Sequence, residues 1–126
     1  MPIDPDDMIS SFEARVGEQT QRALQVSAEL EAAAVTVQSN GGEVTVRVDS
    51  AGGLADLRFH SKSDGLSRDE LARLVLATSR RAQARLAEQV TAIVSGMYGA
   101  SSDTAAFITD AYASRYPAVD DSEEQR

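Results

Sequence analysis

The chain has no cysteine, no tryptophan and a single histidine among its 126 residues. Without cysteine it can have no disulfide framework, no thiolate nucleophile and no cysteine-ligated zinc site, so nothing indicates an oxidising compartment. One imidazole, that of His60, leaves little material for acid–base catalysis or for a metal site. The glycine pairs Gly41-Gly42 and Gly52-Gly53 suit turns, and the sequence contains no phosphate-binding loop or nucleophile elbow. We therefore expect no enzymatic activity, no cofactor and no metal.

Long hydrophobic runs are missing as well. The longest uncharged stretch, residues 89–102, is shorter than the ~20 residues that a membrane-spanning helix needs. The N-terminal residues are acidic, whereas a signal peptide begins with basic ones. A chain of this length is typical of one compact domain. These absences predict a cytoplasmic protein with no membrane partner and no small-molecule substrate.

Positive charge is scarce, because 20 acidic residues outnumber 12 basic ones and the net charge is −8. An acidic chain argues against general nucleic-acid binding, in which cationic side chains replace the counterions of the phosphates. The charge is unevenly distributed, however. Residues 67–99 contain five arginines and three acids, which makes this segment cationic within an acidic protein.

Apolar residues three and four positions apart predict a long first helix from about Pro5 to Ala33. After this helix, apolar residues recur at every second position in three short segments, which begin at Val35, Val44 and Ala55. Glycine-containing turns at 40–42 and 50–53 separate these segments and tolerate positive φ angles. We expect three antiparallel strands connected as a meander.

Ser67 followed by Glu70 has the form of a capping box, which predicts that a second long helix begins there and ends near Gly96 or Gly99. Its predicted inner stripe is Leu71, Val75, Thr78, Ala82, Leu86, Gln89 and Ile93. A short C-terminal helix would hold Phe107, Ile108, Tyr112 and Tyr116. The sequence thus predicts an α+β domain over residues 1–99, followed over residues 100–126 by this helix and a flexible acidic tail.

The first helix would be ~43 Å long, whereas three strands form a sheet only ~15 Å wide. Its apolar residues Ile9, Phe12 and Val16 would therefore extend beyond the sheet, and contiguous exposed apolar residues mark interfaces. We expect a homodimer with these three residues at its interface. The alternative is that the second helix of the same chain covers them as a helical hairpin.

The order of these elements resembles the YbaB/EbfC nucleoid-associated family over roughly residues 5–98, as an acidic, actinobacterial-type member. The resemblance is carried by Val44-Thr45-Val46-Arg47-Val48, Leu57-Arg58-Phe59, Ser67-Arg68-Asp69-Glu70-Leu71 and Val94-Ser95-Gly96-Met97. It implies a dimer whose paired helices project like tweezers and bind DNA in the nucleoid with little sequence preference. The chain departs from the family pattern in its acidity and in the added segment Ser101–Tyr116.

The second helix carries the predicted DNA-binding residues, since arginine guanidinium groups suit phosphate oxygens. They are Arg68, Arg73, Arg80, Arg81 and Arg85, and Arg15 and Arg22 of the first helix extend either this DNA-binding surface or a network of ion pairs within the chain. The alternative is a solvated helix face whose arginines pair with acids of the first helix.

A second function class comes from Tyr116-Pro-Ala-Val-Asp120, which matches a Y-x-x-x-[DE] pattern. This pattern resembles the C-terminal signal of type VII secretion substrates in actinobacteria, although the accompanying W-x-G is missing because the chain has no tryptophan. The alternative function is therefore an interaction or scaffolding protein that accompanies such a system and binds proteins through its acidic surface and C-terminal helix.

Overall fold

The computed structural model describes residues 5–99 and 101–119. Its elements are helix α1 (Pro5–Ala32), strands β1 (Val35–Gln38), β2 (Val44–Val48) and β3 (Leu54–Phe59), helix α2 (Arg68–Tyr98) and helix α3 (Asp103–Arg115), with a single 3-10 turn at Ser61–Ser63. The predicted α+β order of long helix, three strands, second long helix and short helix is confirmed. The predicted acidic tail lies outside the described residues from position 120 onward.

The strands form one antiparallel sheet in the order β1-β2-β3, which confirms the meander. Val35 lies opposite Val48, and Val44 lies opposite Phe59. Because side chains alternate between the two faces of a strand, Val44, Val46 and Val48 all point to one side, where they are buried. Helix α2 covers this side of the sheet, and the core lies between the two.

Helix α2 begins with the predicted capping box. The Ser67 hydroxyl accepts a hydrogen bond from the Glu70 amide at 3.1 Å, and the Glu70 carboxylate accepts one from the Ser67 amide at 3.2 Å. The helix ends at Tyr98, and Gly99 follows with a φ of 89°. The helix thus ends where the sequence predicts, and the positive φ favours glycine, although the ψ of 147° places Gly99 outside the left-handed helical conformation.

The inner stripe of α2 follows the prediction through Thr78, Ala82 and Leu86, which are all buried. The prediction is wrong at Gln89, which is exposed, whereas Val90 and Val94 are buried. In an α-helix, a step of four residues turns by about 400°, which is about 40° more than one full turn. The buried stripe therefore runs obliquely across α2, towards the side on which α3 packs.

Helix α3 completes the core at the C-terminal end of α2. Ala105 is buried in the same cluster as Val90 and Val94, and Tyr112 and Tyr116 pack against that cluster. Phe107 lies on α3 as predicted, but 76% of it is exposed to solvent.

The turn between β2 and β3 is held by side chains from both later helices. Tyr112 donates its hydroxyl hydrogen to the carbonyl oxygen of Ser50 at 3.2 Å, and Gln83 of α2 donates to the carbonyl oxygen of Gly52 at 2.9 Å. Tyr116 donates to the carbonyl oxygen of Ala51. Gly52 itself has a φ of +82°, and the Tyr116 hydroxyl occupies the space that a β-carbon at this position would need.

Replacement of Gly52 by alanine is expected to destabilise the protein by about 1–3 kcal/mol, because it adds left-handed backbone strain and displaces the Tyr116 ring. Urea unfolding followed by circular dichroism measures this loss. Gly65→Ala is the matched control, since a β-carbon there meets no atom within 4 Å. Equal unfolding midpoints for the two variants would contradict the role assigned to Gly52.

Helix α1 has little contact with the rest of the fold. Within α1, all of whose residues are described, only Val26 is buried. Ile9, Phe12 and Val16 are 56%, 65% and 44% exposed. These residues are thus exposed to solvent in the single chain, as predicted, and α2 does not cover them as the helical-hairpin alternative requires.

Candidate nucleic-acid interface

The arginines of α2 divide into exposed and buried positions. Arg73, Arg80 and Arg85 are exposed, as is Arg68 at the start of the helix. Arg81 is only 7% exposed, next to the buried Ala82. Four of the five predicted DNA-binding residues of α2 therefore face solvent, whereas the structure places Arg81 inside the fold.

Three of the exposed arginines, Arg73, Arg80 and Arg85, lie along two lines of α2. Arg73 and Arg80 are seven residues apart and so share one side, because seven residues complete about two turns. Arg85 lies about 120–140° further around the helix axis, at about 100° per residue. A phosphate backbone could therefore contact α2 from either of two sides.

No ion pair occupies these guanidinium groups within the described residues. Arg73, Arg80 and Arg85 form none with any acid of residues 5–99 and 101–119. The salt bridge in this part of the chain joins Arg58 and Asp56 of β3, with 3.0 Å between Nε and Oδ2. The alternative in which α2 arginines pair with acids of α1 is therefore not observed for these three.

The two arginines predicted on α1 have different surroundings from those on α2. Arg15 and Arg22 are exposed and, being seven residues apart, lie on one side of α1. Helix α1 contains six acids and two arginines, so its surface is strongly negative. Arg15 and Arg22 are thus exposed cations on a helix whose other charged residues are acidic.

Residues 116–119, which follow α3, border two clefts together with residues of α2. The first has a volume of about 260 Å³ and is lined by Arg80, Gln83, Arg115, Tyr116, Pro117 and Val119. The second has a volume of about 190 Å³ and is lined by Arg81, Ala84, Arg85, Glu88, Ala118 and Val119. Two arginines line each cleft, and Val119 borders both.

Arg115 is a candidate binding residue that the sequence reasoning missed. It is the last residue of α3 and is exposed beside Arg80 at the first cleft. A sequence signal does exist, because Arg115 is the only cationic residue between positions 101 and 119. Its proximity to Arg80 depends on how α3 docks on α2, which no local pattern encodes.

Among the described residues, His60 and the acids are the other side chains that bear on catalysis or metal binding. His60 is half-buried at the end of β3, and its Nε2 lies 2.6 Å from the Thr45 hydroxyl oxygen. Within residues 5–99 and 101–119, no group of three or more histidines and acids is arranged to hold a metal ion. Among the described helices, none is both long and apolar enough to cross a membrane.

Comparison with known proteins gives one clear relationship. The model of the YbaB/EbfC DNA-binding family matches residues 6–101, which include α1, the sheet and α2 and exclude α3. No curated protein and no solved structure matches the chain. Because the family model covers most of the sequence, the resemblance seen in the order of its elements is confirmed. The chain belongs to the YbaB/EbfC family, a family of nucleoid-associated DNA-binding proteins without enzymatic activity.

Proposed function

We propose that the protein acts as a homodimer that binds double-stranded DNA with little sequence preference, as a nucleoid-associated protein of the cytoplasm. The observation that carries the proposal is the set of exposed arginines on α2, Arg73, Arg80 and Arg85, which have no ion-pair partner among the described residues. Residues 1–99 would form the DNA-binding domain, and residues 100–126 an appended segment.

Weak sequence preference follows from the type of contact. Guanidinium groups on an exposed helix face suit the phosphate oxygens, which are the same at every base pair. Gln83 is a side chain of α2 that could read a base edge, but its amide nitrogen already donates to the carbonyl oxygen of Gly52. The net charge of −8 further limits affinity, because the acids repel the DNA at long range.

The dimer is supported by the exposed apolar side chains at the N-terminal end of α1. Ile9, Phe12 and Val16 together form a stripe that a monomer would leave in water. A second copy offers an identical stripe, and pairing the two would bury both. Dimerisation also doubles the number of arginines that can contact one duplex, and linked weak contacts raise the overall affinity.

The test is a fluorescence-anisotropy titration of a labelled random duplex at low and at moderate salt. We expect weak binding whose affinity falls with salt, with a slope of about −0.9 in log K against log salt for each phosphate contact. Unlabelled duplexes of unrelated sequence should compete equally well. If a correctly folded protein shows no binding at high micromolar concentration, the proposal is wrong.

Helix α3 favours the second candidate function, a scaffolding protein that accompanies a type VII secretion system. It lies outside the family match and presents Phe107, 76% exposed, to solvent. Tyr116 of the Y-x-x-x-[DE] pattern, however, donates a hydrogen bond to the β2–β3 turn, so the fold itself accounts for this tyrosine. Asp120 of the pattern lies outside the described residues. DNA binding is therefore the better supported function.

A further inference from the structure

The first cleft has a composition that points to an anionic ligand. Arg80 contributes one guanidinium group from α2, and Arg115 contributes another from the end of α3. The other residues that line it are Gln83, Tyr116, Pro117 and Val119, none of which is acidic. Neither arginine forms an ion pair with any other described residue. Two like charges at one cleft repel each other, and an anion placed between them removes that repulsion.

The walls of the cleft are fixed by the fold, which leaves the two guanidinium groups available. The amide of Gln83 donates to the carbonyl oxygen of Gly52, and the hydroxyl of Tyr116 donates to that of Ala51. The hydroxyl donor of Tyr116 is therefore engaged with the β2–β3 turn, whereas the Gln83 amide, held in place by one of its two N–H groups, keeps the other. A ligand entering the cleft would find Arg80 and Arg115 as its charged donors.

We propose that Arg80 and Arg115 together bind a phosphate group in this cleft. Phosphate suits the planar donor pattern of arginine, which can form two parallel hydrogen bonds to its oxygens. The volume of about 260 Å³ is below the ~300–1,000 Å³ of a typical small-molecule pocket, yet it is large enough for a phosphate or a pyrophosphate group. If the bound phosphate belongs to DNA, the site rests on the proposed function. Helix α3 is then part of the surface that contacts DNA.

The phosphate has two chemical sources, the backbone of DNA and a free phosphorylated molecule, and two measurements separate them. Calorimetric titration with inorganic pyrophosphate tests the cleft without DNA. Titration of a random duplex tests the contact with a DNA backbone. Both use the full chain and its variants Arg80→Ala, Arg115→Ala and the double substitution. Arg47→Ala removes the same charge from an exposed position on β2 and serves as the matched control.

We expect pyrophosphate to bind the wild type and Arg47→Ala equally, about tenfold more weakly to each single cleft variant, and not detectably to the double variant. For DNA, Arg115→Ala should lower the affinity and reduce the salt slope by about 1 for each protomer in contact. If the cleft variants lose both pyrophosphate binding and DNA affinity, the phosphate that the cleft binds belongs to the DNA backbone. Loss of pyrophosphate binding with unchanged DNA binding identifies a free phosphorylated molecule.

Two results separate a failure of this site from a failure of the proposed function. If the wild type binds pyrophosphate but not DNA, and the cleft variants lose pyrophosphate, the DNA function is wrong and the phosphate site stands. If the cleft variants match Arg47→Ala in both titrations, the phosphate site is overturned whether or not the protein binds DNA. Urea unfolding midpoints verify that all variants are folded, as expected for substitutions of exposed arginines.

Discussion

Substitution of Arg80 and Arg85 together by alanine is expected to abolish detectable binding to a random duplex. This double substitution removes one guanidinium group from each of the two lines of exposed arginines on α2. A dimer therefore loses four guanidinium groups. Each lost phosphate contact should flatten the slope of log K against log salt by about 0.9. Anisotropy titrations at three or more salt concentrations measure both the affinity and the slope.

The matched control is the double substitution of Arg47 and Arg58, which are exposed on β2 and β3 and carry the same total charge. This control should weaken DNA binding only slightly. It changes the net charge as much as the Arg80 and Arg85 double substitution does, but it removes no contact between α2 and DNA. Arg81 is left unchanged, since it is buried and its truncation would disturb the fold. Equal loss of affinity in both double variants would mean that net charge, and not the α2 surface, governs binding.

Substitution of Phe12 by aspartate is expected to convert the dimer into a folded monomer. In the single chain 65% of Phe12 is exposed, so the fold does not depend on it. At an apolar dimer interface the new carboxylate would lose its hydration without gaining a partner, which costs several kcal/mol. Sedimentation equilibrium should show the mass fall from twice the chain mass of 13.4 kDa to that value itself.

The control for this variant is Ala14→Asp, which adds the same charge to α1 about 160° around the helix from Phe12. It should remain dimeric. Phe12→Asp should also bind DNA more weakly, because each monomer presents only half of the arginines. A wild-type protein that sediments as a monomer at micromolar concentration would contradict the proposed dimer, and so would a Phe12→Asp variant that remains dimeric.

The features that the sequence predicts well are those encoded by neighbouring residues. The alternation of Val44, Val46 and Val48 specifies a strand with one buried face, and Ser67 with Glu70 specifies a helix start. The exposure of Ile9, Phe12 and Val16 was predictable because it depends only on the relative lengths of a helix and a sheet. These features required no knowledge of where the C-terminal segment lies.

The features that the sequence analysis missed all depend on the docking of α3. Gln89 is predicted to face inward but is exposed, whereas Val90 and Val94 are buried in the cluster that Ala105 of α3 joins. Arg81 was placed on the DNA surface by its helical position alone, whereas it lies beside Ala118 and Val119. Arg115 is close to Arg80 for the same reason. Each of these results from contacts between residues far apart in sequence.

The hydrogen bonds that hold the β2–β3 turn also bear on the order of events during protein synthesis. Tyr112 and Tyr116 reach back over 62 and 65 positions to the carbonyl groups of Ser50 and Ala51. A ribosome completes the sheet and α2 before it has made these tyrosines, and domains form progressively as the chain emerges. Until then water must solvate both carbonyl groups, and α3 does not yet pack against the apolar end of α2 at Val90 and Val94. The contacts that hold the β2–β3 turn therefore form only after α3 and Tyr116 have been translated.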